Sequence, residues 1–131
     1  QVVAKAVKGI EPFAINFRGF GVFPDKRAPR TLWTGIEGNT DILVNLAKEI
    51  ESKVKPLGFP AEGKPFRPHL TLARIKKNQR VLGQAIEKAR VLEDPFVFGR
   101  LLVEQVCLFE SELRPTGSVY TKLWVIPLGN S

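Results

Sequence analysis

The chain has 131 residues, enough for one domain, or two small lobes sharing a core, that buries roughly two-thirds of its unfolded surface. Its 20 Lys and Arg outnumber 13 Asp and Glu, a net charge of +7 that favours a polyanionic partner, RNA or DNA, although surplus cations also serve solubility. No apolar run approaches the roughly 20 residues of a membrane span, no signal-peptide pattern opens the chain, and one Cys with one His leaves no structural zinc set.

The single cysteine, Cys107, cannot form an internal disulfide, so a reducing, cytoplasmic setting is expected. It falls in the apolar run Val106–Phe109 and reads as a small core residue.

In chain order, the stretch Val2–Lys8 reads as the tail of a helix ending near Gly9. The chain has no methionine, even at its first position. Together these give the expectation that the sequence begins at an internal point of a longer parent. Phe13, Ile15 and Phe17 alternate with Ala14, Asn16 and Arg18, which predicts a half-buried strand, with Gly19 and Gly21 allowing a bulge at its end. Phe23–Arg30 is a basic turn, and Thr31–Ile36 is the returning strand of a hairpin with a positive tip at Lys26, Arg27 and Arg30.

Asn39 or Thr40 can cap the next helix, whose Leu43, Leu46, Ala47, Ile50 and Val54 form one apolar stripe before Pro56 and Gly58 close it. A second amphipathic helix is predicted from Asn78 to about Leu92, with Val81, Leu82, Ala85, Ile86 and Ala89 on one side. Phe96 to about Leu113 reads as one long strand, straight or bent, and Val119–Ile126 as the last, after a turn at Arg114–Ser118. The fold class is therefore α+β, with largely antiparallel sheets and two main helices. Phe20, Phe23, Trp33 and Trp124 are assigned to the core.

Between the two helices lies Lys64-Pro-Phe-Arg-Pro-His-Leu-Thr-Leu-Ala-Arg-Ile-Lys76, which holds the sole histidine. In a strand, His69 and Thr71 share one face, while Leu70 and Leu72 share the other and are expected to be buried. Lys64, Arg67, Arg74, Lys76, Lys77 and Arg80 surround them. An imidazole that trades protons, a hydroxyl donor and nearby cations suit a phosphate ester. A solvated histidine on a half-buried strand is the plainer reading of His-x-Thr alone.

Four segments together resemble one family. Pro65–Arg74 looks like the second His-x-Thr-x motif of the two-histidine (2H) phosphoesterases, within them the RNA 2′,3′-cyclic phosphodiesterases first described as 2′-5′ RNA ligases. Arg18-Gly-Phe-Gly-Val-Phe-Pro24, Arg30-Thr-Leu-Trp-Thr-Gly-Ile36 and Ser111–Tyr120 are similar to further segments of that family, in the same order. The resemblance implies a bilobal fold built on two His-x-Thr-x motifs. It puts the missing first motif upstream of Gln1, so that residues 1–131 would be a single domain lacking part of its N-terminal half.

By the same resemblance, His69 is the proton acceptor and Thr71 donates a hydrogen bond to a phosphate oxygen. Arg74, Tyr120, Arg114 and Phe66 are candidate substrate contacts. Simple alternation puts Ala73 and not Arg74 on the His69 face, so Arg74 is a rim candidate or a surface arginine. Tyr120 either lines the site or packs with its hydroxyl at the surface; Phe66 either stacks on a base or joins the core.

The implied substrate is RNA with 2′,3′-cyclic phosphate ends, or a cyclic nucleotide, opened to a 2′-phosphomonoester with reversible 2′-5′ ligase activity. No metal, cofactor or membrane is expected. With one histidine the isolated chain is expected to be impaired. The alternative is an RNA- or nucleotide-binding module without turnover. If an N-terminal segment is absent, the strands it would cover become open edges, and self-association, or a domain less stable than its length suggests, is expected.

Overall fold

The computed structural model describes residues 2–60, 63 and 65–129. Lys64, named among the cations near His69, lies outside them. The fold is α+β, with helices α1 (Val2–Ala6), α2 (Thr40–Val54) and α3 (Gln79–Lys88). The strands are β1 (Phe13–Phe23), β2 (Thr31–Glu37), β3 (His69–Arg74), β4 (Val97–Val103), β5 (Gln105–Arg114) and β6 (Gly117–Pro127). Two compact units result. The first combines Gln1–Phe13, Asn45–Lys64 and Leu102–Ser131; the second combines Ala14–Val44 and Pro65–Leu101.

In the second unit four strands line up as β3-β2-β1-β4. β1 and β2 form the antiparallel hairpin that the alternation of Phe13–Arg18 predicts, and their register slips between Arg18 and Gly21, where the two glycines allow it. The hairpin loop is closed by Arg30 N–H donating to the Phe23 carbonyl at 2.7 Å. Within it the Asp25 carboxylate accepts the N–H groups of Arg27 and Ala28 at 2.9 and 3.1 Å.

That loop packs on α3 at Gly83, where a Cβ would stand 2.5 Å from the Lys26 carbonyl and 2.8 Å from that of Arg27. Only glycine admits so close a backbone approach. The loop thereby changes which face of α3 is inward. Gly83 is buried and Ile86 half-buried, whereas Val81 and Leu82 of the predicted stripe stay 65% and 40% exposed.

The first unit is a two-stranded antiparallel sheet, β5 and β6, with α1 and most of α2. Val3, Ala6, Val7, Phe13, Leu46 and Leu128 are its buried apolar residues. Leu46 anchors the α2 stripe, and the rest of that stripe is half-buried. Asn39 precedes α2 in a left-handed conformation (φ 52°), and its side-chain amide donates to the Ala14 carbonyl at 2.7 Å.

The predicted long strand from Phe96 to Leu113 is two strands, β4 mostly in the second unit and β5 in the first, with Glu104 between them. Val97, Phe98 and Val103 before Glu104 and Val106 and Phe109 after it are alike in kind, so composition gives no sign of the break. Trp124, assigned above to the core, is 50% exposed and, with Cys107 and Leu108, lines an apolar groove of about 640 Å³. A two-stranded sheet has too little depth to enclose it. Among the described residues no helix is long and apolar enough to cross a membrane.

Candidate active site

β3 pairs antiparallel with β2, with Gly35 opposite His69, Thr34 opposite Leu70 and Trp33 opposite Thr71. Residues directly opposite one another share a face. One face of the sheet therefore presents His69, Thr71, Gly35 and Trp33. The other carries Thr34, which is fully buried. Leu70 and Leu72, expected to be buried, are 47% and 40% exposed, because β3 is the edge strand and receives less cover than its neighbour.

The register then slips by one residue, so that Leu32 faces Ala73 and Thr31 faces Arg74. Leu72 is the extra residue of a β-bulge. Thr31 and Trp33 lie two apart on β2 and share a face, so their partners Arg74 and Thr71 do too. The bulge turns Arg74 onto the His69 face, which unbroken alternation assigns to Ala73. Arg18 reaches this face as well, since it pairs with Gly35 on the far side of β2. It is held by Glu37 at 3.5 Å and remains about half exposed. The strand alternation already has Arg18 on the polar face of β1; only the pairing register, which no single segment contains, puts it in one row with His69.

His69 is exposed, and its ring leans into an aromatic corner. The Phe23 ring meets it edge-on at 5.1 Å, the Trp33 indole lies at 5.9 Å, and these two are 5.1 Å apart. Phe23 and Trp33 are half-buried walls of the site rather than interior packing. The indole in turn lies over Gly21, where a Cβ would fall 2.1 Å from the ring.

His69 Nδ1 lies 2.6 Å from the carbonyl oxygen of Arg67. A carbonyl only accepts, so Nδ1 carries the proton. In the neutral ring Nε2 is then the free lone pair, the tautomer a proton acceptor needs. The chemistry available on this face is one base, one hydroxyl donor and two guanidinium groups that match phosphate oxygens.

Phe66 is 49% exposed, three residues before His69 in the same unit. Arg114 and Tyr120 belong to the other unit, at the end of β5 and on β6. Arg114 pairs with Glu112 at 3.1 Å, and Tyr120 is 61% exposed. Among the described residues no group of three or more His, Cys, Asp or Glu could hold a metal ion.

One face of an antiparallel sheet on an α+β scaffold thus presents an imidazole, a hydroxyl and two guanidiniums, groups whose chemistry suits a phosphate ester. The sequence profile of the 2′-5′ RNA ligase superfamily matches residues 1–114. An RNA 2′,3′-cyclic phosphodiesterase of Aquifex aeolicus is 38% identical over 90% of this chain and 62% of its own length. One from Methanothermobacter thermautotrophicus is 36% identical over 98% of this chain and 67% of its own. A crystal structure from Thermus thermophilus superposes with a TM-score of 0.72 at 29% identity, over 97% of this chain and 66% of that one. The chain belongs to the 2′-5′ RNA ligase superfamily. It spans about two-thirds of the length of these relatives.

Proposed function

We propose that the chain is the His69-bearing part of an RNA 2′,3′-cyclic phosphodiesterase, opening 2′,3′-cyclic phosphate ends to 2′-phosphomonoesters. The observation that carries this reading is the Nδ1–H bond to the Arg67 carbonyl, which leaves the lone pair of His69 Nε2 free beside Thr71.

Hydrolysis requires a water to attack phosphorus in line with the departing ribose 3′ oxygen. A base takes the proton of the water, and an acid gives one to that oxygen. His69 Nε2 serves as the base. The Thr71 hydroxyl and the guanidiniums of Arg74 and Arg18 receive the negative charge that grows on the non-bridging oxygens. When the 5′-hydroxyl of a second strand attacks in place of water and the bond to the 3′ oxygen breaks, the product is a 2′-5′ phosphodiester; in the reversal of that ligation the proton roles exchange.

One imidazole supports one of the two proton transfers, so the isolated chain turns cyclic phosphates over slowly or not at all. In the whole protein, changing His69 to Ala lowers the rate of hydrolysis by about 10²-fold or more, read by the release of 2′-phosphomonoester. An unchanged rate would end the assignment. The second reading, a nucleotide-binding module without turnover, is favoured by the single histidine count. It requires that the whole protein bind a cyclic-ended oligonucleotide and never open it.

A further inference from the structure

The surplus charge is not spread over the molecule. The unit that holds His69 carries 12 Lys and Arg against 6 Asp and Glu, and the other carries 8 against 7. Within the His69 unit the cations follow a line. β3 has six residues, His69 to Arg74, and their five steps span roughly 17 Å of extended chain. Beyond it, Ile75 N–H donates to the Arg30 carbonyl at 2.8 Å, which ties the end of β3 to the β1–β2 loop that bears Lys26 and Arg27. Lys76 and Lys77 then lead into α3 and Arg80.

Lys26, Arg27 and Arg80 converge with Gly83, Gln84 and Glu87 on an open polar groove of about 340 Å³. Its geometry is fixed by the seat of the loop on Gly83, so cations from two elements are held together before any ligand arrives. Lys26, Arg27, Arg30, Lys76, Lys77 and Arg80 line this path, and among the described residues none of them forms a salt bridge. The nearest acid on the loop, Asp25, is turned inward onto two backbone N–H groups. Among the described residues Glu87 is the one carboxylate lining the groove.

We propose that this groove, between the β1–β2 loop and α3, holds the phosphodiester backbone of the RNA strand whose cyclic end lies at His69. The inference rests on the function proposed above and adds to it that the substrate is an oligonucleotide, gripped at a distance from the reacting phosphate. Like-charged side chains crowded together without partners repel one another, and a polyanion relieves that repulsion while releasing its own counterions. An acidic protein segment would meet the same charges, but the groove has no large apolar side chain to anchor one.

The test is the affinity of the chain, over a series of salt concentrations, for three probes. These are a single-stranded oligoribonucleotide with a 2′,3′-cyclic phosphate end, the same strand with a 3′-hydroxyl, and a 2′,3′-cyclic mononucleotide. The triple variant Lys26→Ala, Arg27→Ala, Arg80→Ala is expected to bind both strands about ten-fold more weakly at low salt. Its salt slope should be shallower by about 2, at about 0.7 per phosphate contact for a single strand, with affinity for the mononucleotide unchanged. Glu87→Gln is expected to bind both strands more tightly, a gain that misfolding cannot produce.

Wild-type strand affinity and slope in the triple variant would overturn the proposal. So would an equal loss on changing Lys48 and Lys53 of the other unit, or an acidic peptide that displaces the strand at lower concentration. Equal affinity for the cyclic and hydroxyl ends, with the triple-variant loss intact, would instead refute the proposed function and leave the groove as an RNA-docking surface.

Discussion

The two units use similar materials for different ends. In the His69 unit, cations, glycines and aromatic rings meet at one sheet face and one loop, and close backbone approaches at Gly21, Gly35 and Gly83 fix what stands beside them. The other unit is close to neutral, and it holds an apolar groove lined by residues such as Val54, Leu57, Leu108, Trp124 and Ile126. One region spends its exposed surface on charge and the other on hydrocarbon. The first presents groups suited to a phosphate ester, and the second an apolar groove that stays open.

If that contrast is functional, substitutions should separate cleanly by unit. The largest effect belongs to His69→Ala, with the loss of hydrolysis stated above, whereas Tyr120→Phe in the other unit isolates whether the phenol takes part at all. Next comes Arg74→Ala, which removes a guanidinium that the Leu72 bulge turns toward Thr71. Affinity for a 2′,3′-cyclic nucleotide, measured by calorimetry, is expected to fall about ten-fold, the scale of one charged hydrogen bond. Arg74→Lys should recover part of it, since lysine keeps the charge and loses the fork. An unaffected affinity would return Arg74 to the surface.

Gly21→Ala follows. Its new methyl meets the Trp33 indole, which has to move off the sheet and away from His69. Chemical denaturation should report a loss of about 1–3 kcal/mol, accompanied by a changed tryptophan emission. Gly83→Ala pits about 1 kcal/mol of helix propensity in its favour against two backbone carbonyls within 3 Å of the new carbon. The carbonyls cannot rotate aside as a side chain would, so net destabilisation is expected. A rise in stability would mean that the loop is not held on α3.

In the other unit, Trp124→Ser should leave nucleotide affinity within about two-fold. It should also reduce the concentration-dependent self-association expected of an uncovered apolar groove, read by sedimentation. A wild-type chain that stays monomeric at high concentration would remove that expectation. The smallest effect is Glu37→Gln, whose pair with Arg18 is exposed and stabilises by under about 1 kcal/mol.

The parts of this architecture that depend on local pattern are readable from the sequence. The alternation from Phe13 to Arg18, the α2 stripe and the basic hairpin tip are short local patterns and need no partner to be recognised. His69 and Thr71 share a face by periodicity alone. What escapes such reading is set by pairing. Arg74 depends on a bulge that exists only relative to β2, and Arg18 joins the row of His69 through Gly35, which belongs to a third strand. The split of 96–113 into two strands in different units, and the exposure of Val81, Leu82 and Trp124, depend on what covers each element, which composition does not encode.

The central claim is that the His69 ring holds its proton on Nδ1 and offers Nε2 to a phosphate ester. Because the chain has one histidine, a long-range ¹H–¹⁵N spectrum of the imidazole reads that ring without ambiguity. In the neutral ring the proton should reside on Nδ1, and both nitrogens should shift when a 2′,3′-cyclic nucleotide is added. A neutral ring protonated on Nε2, or one whose signals stay fixed as the nucleotide saturates the protein, would contradict the account.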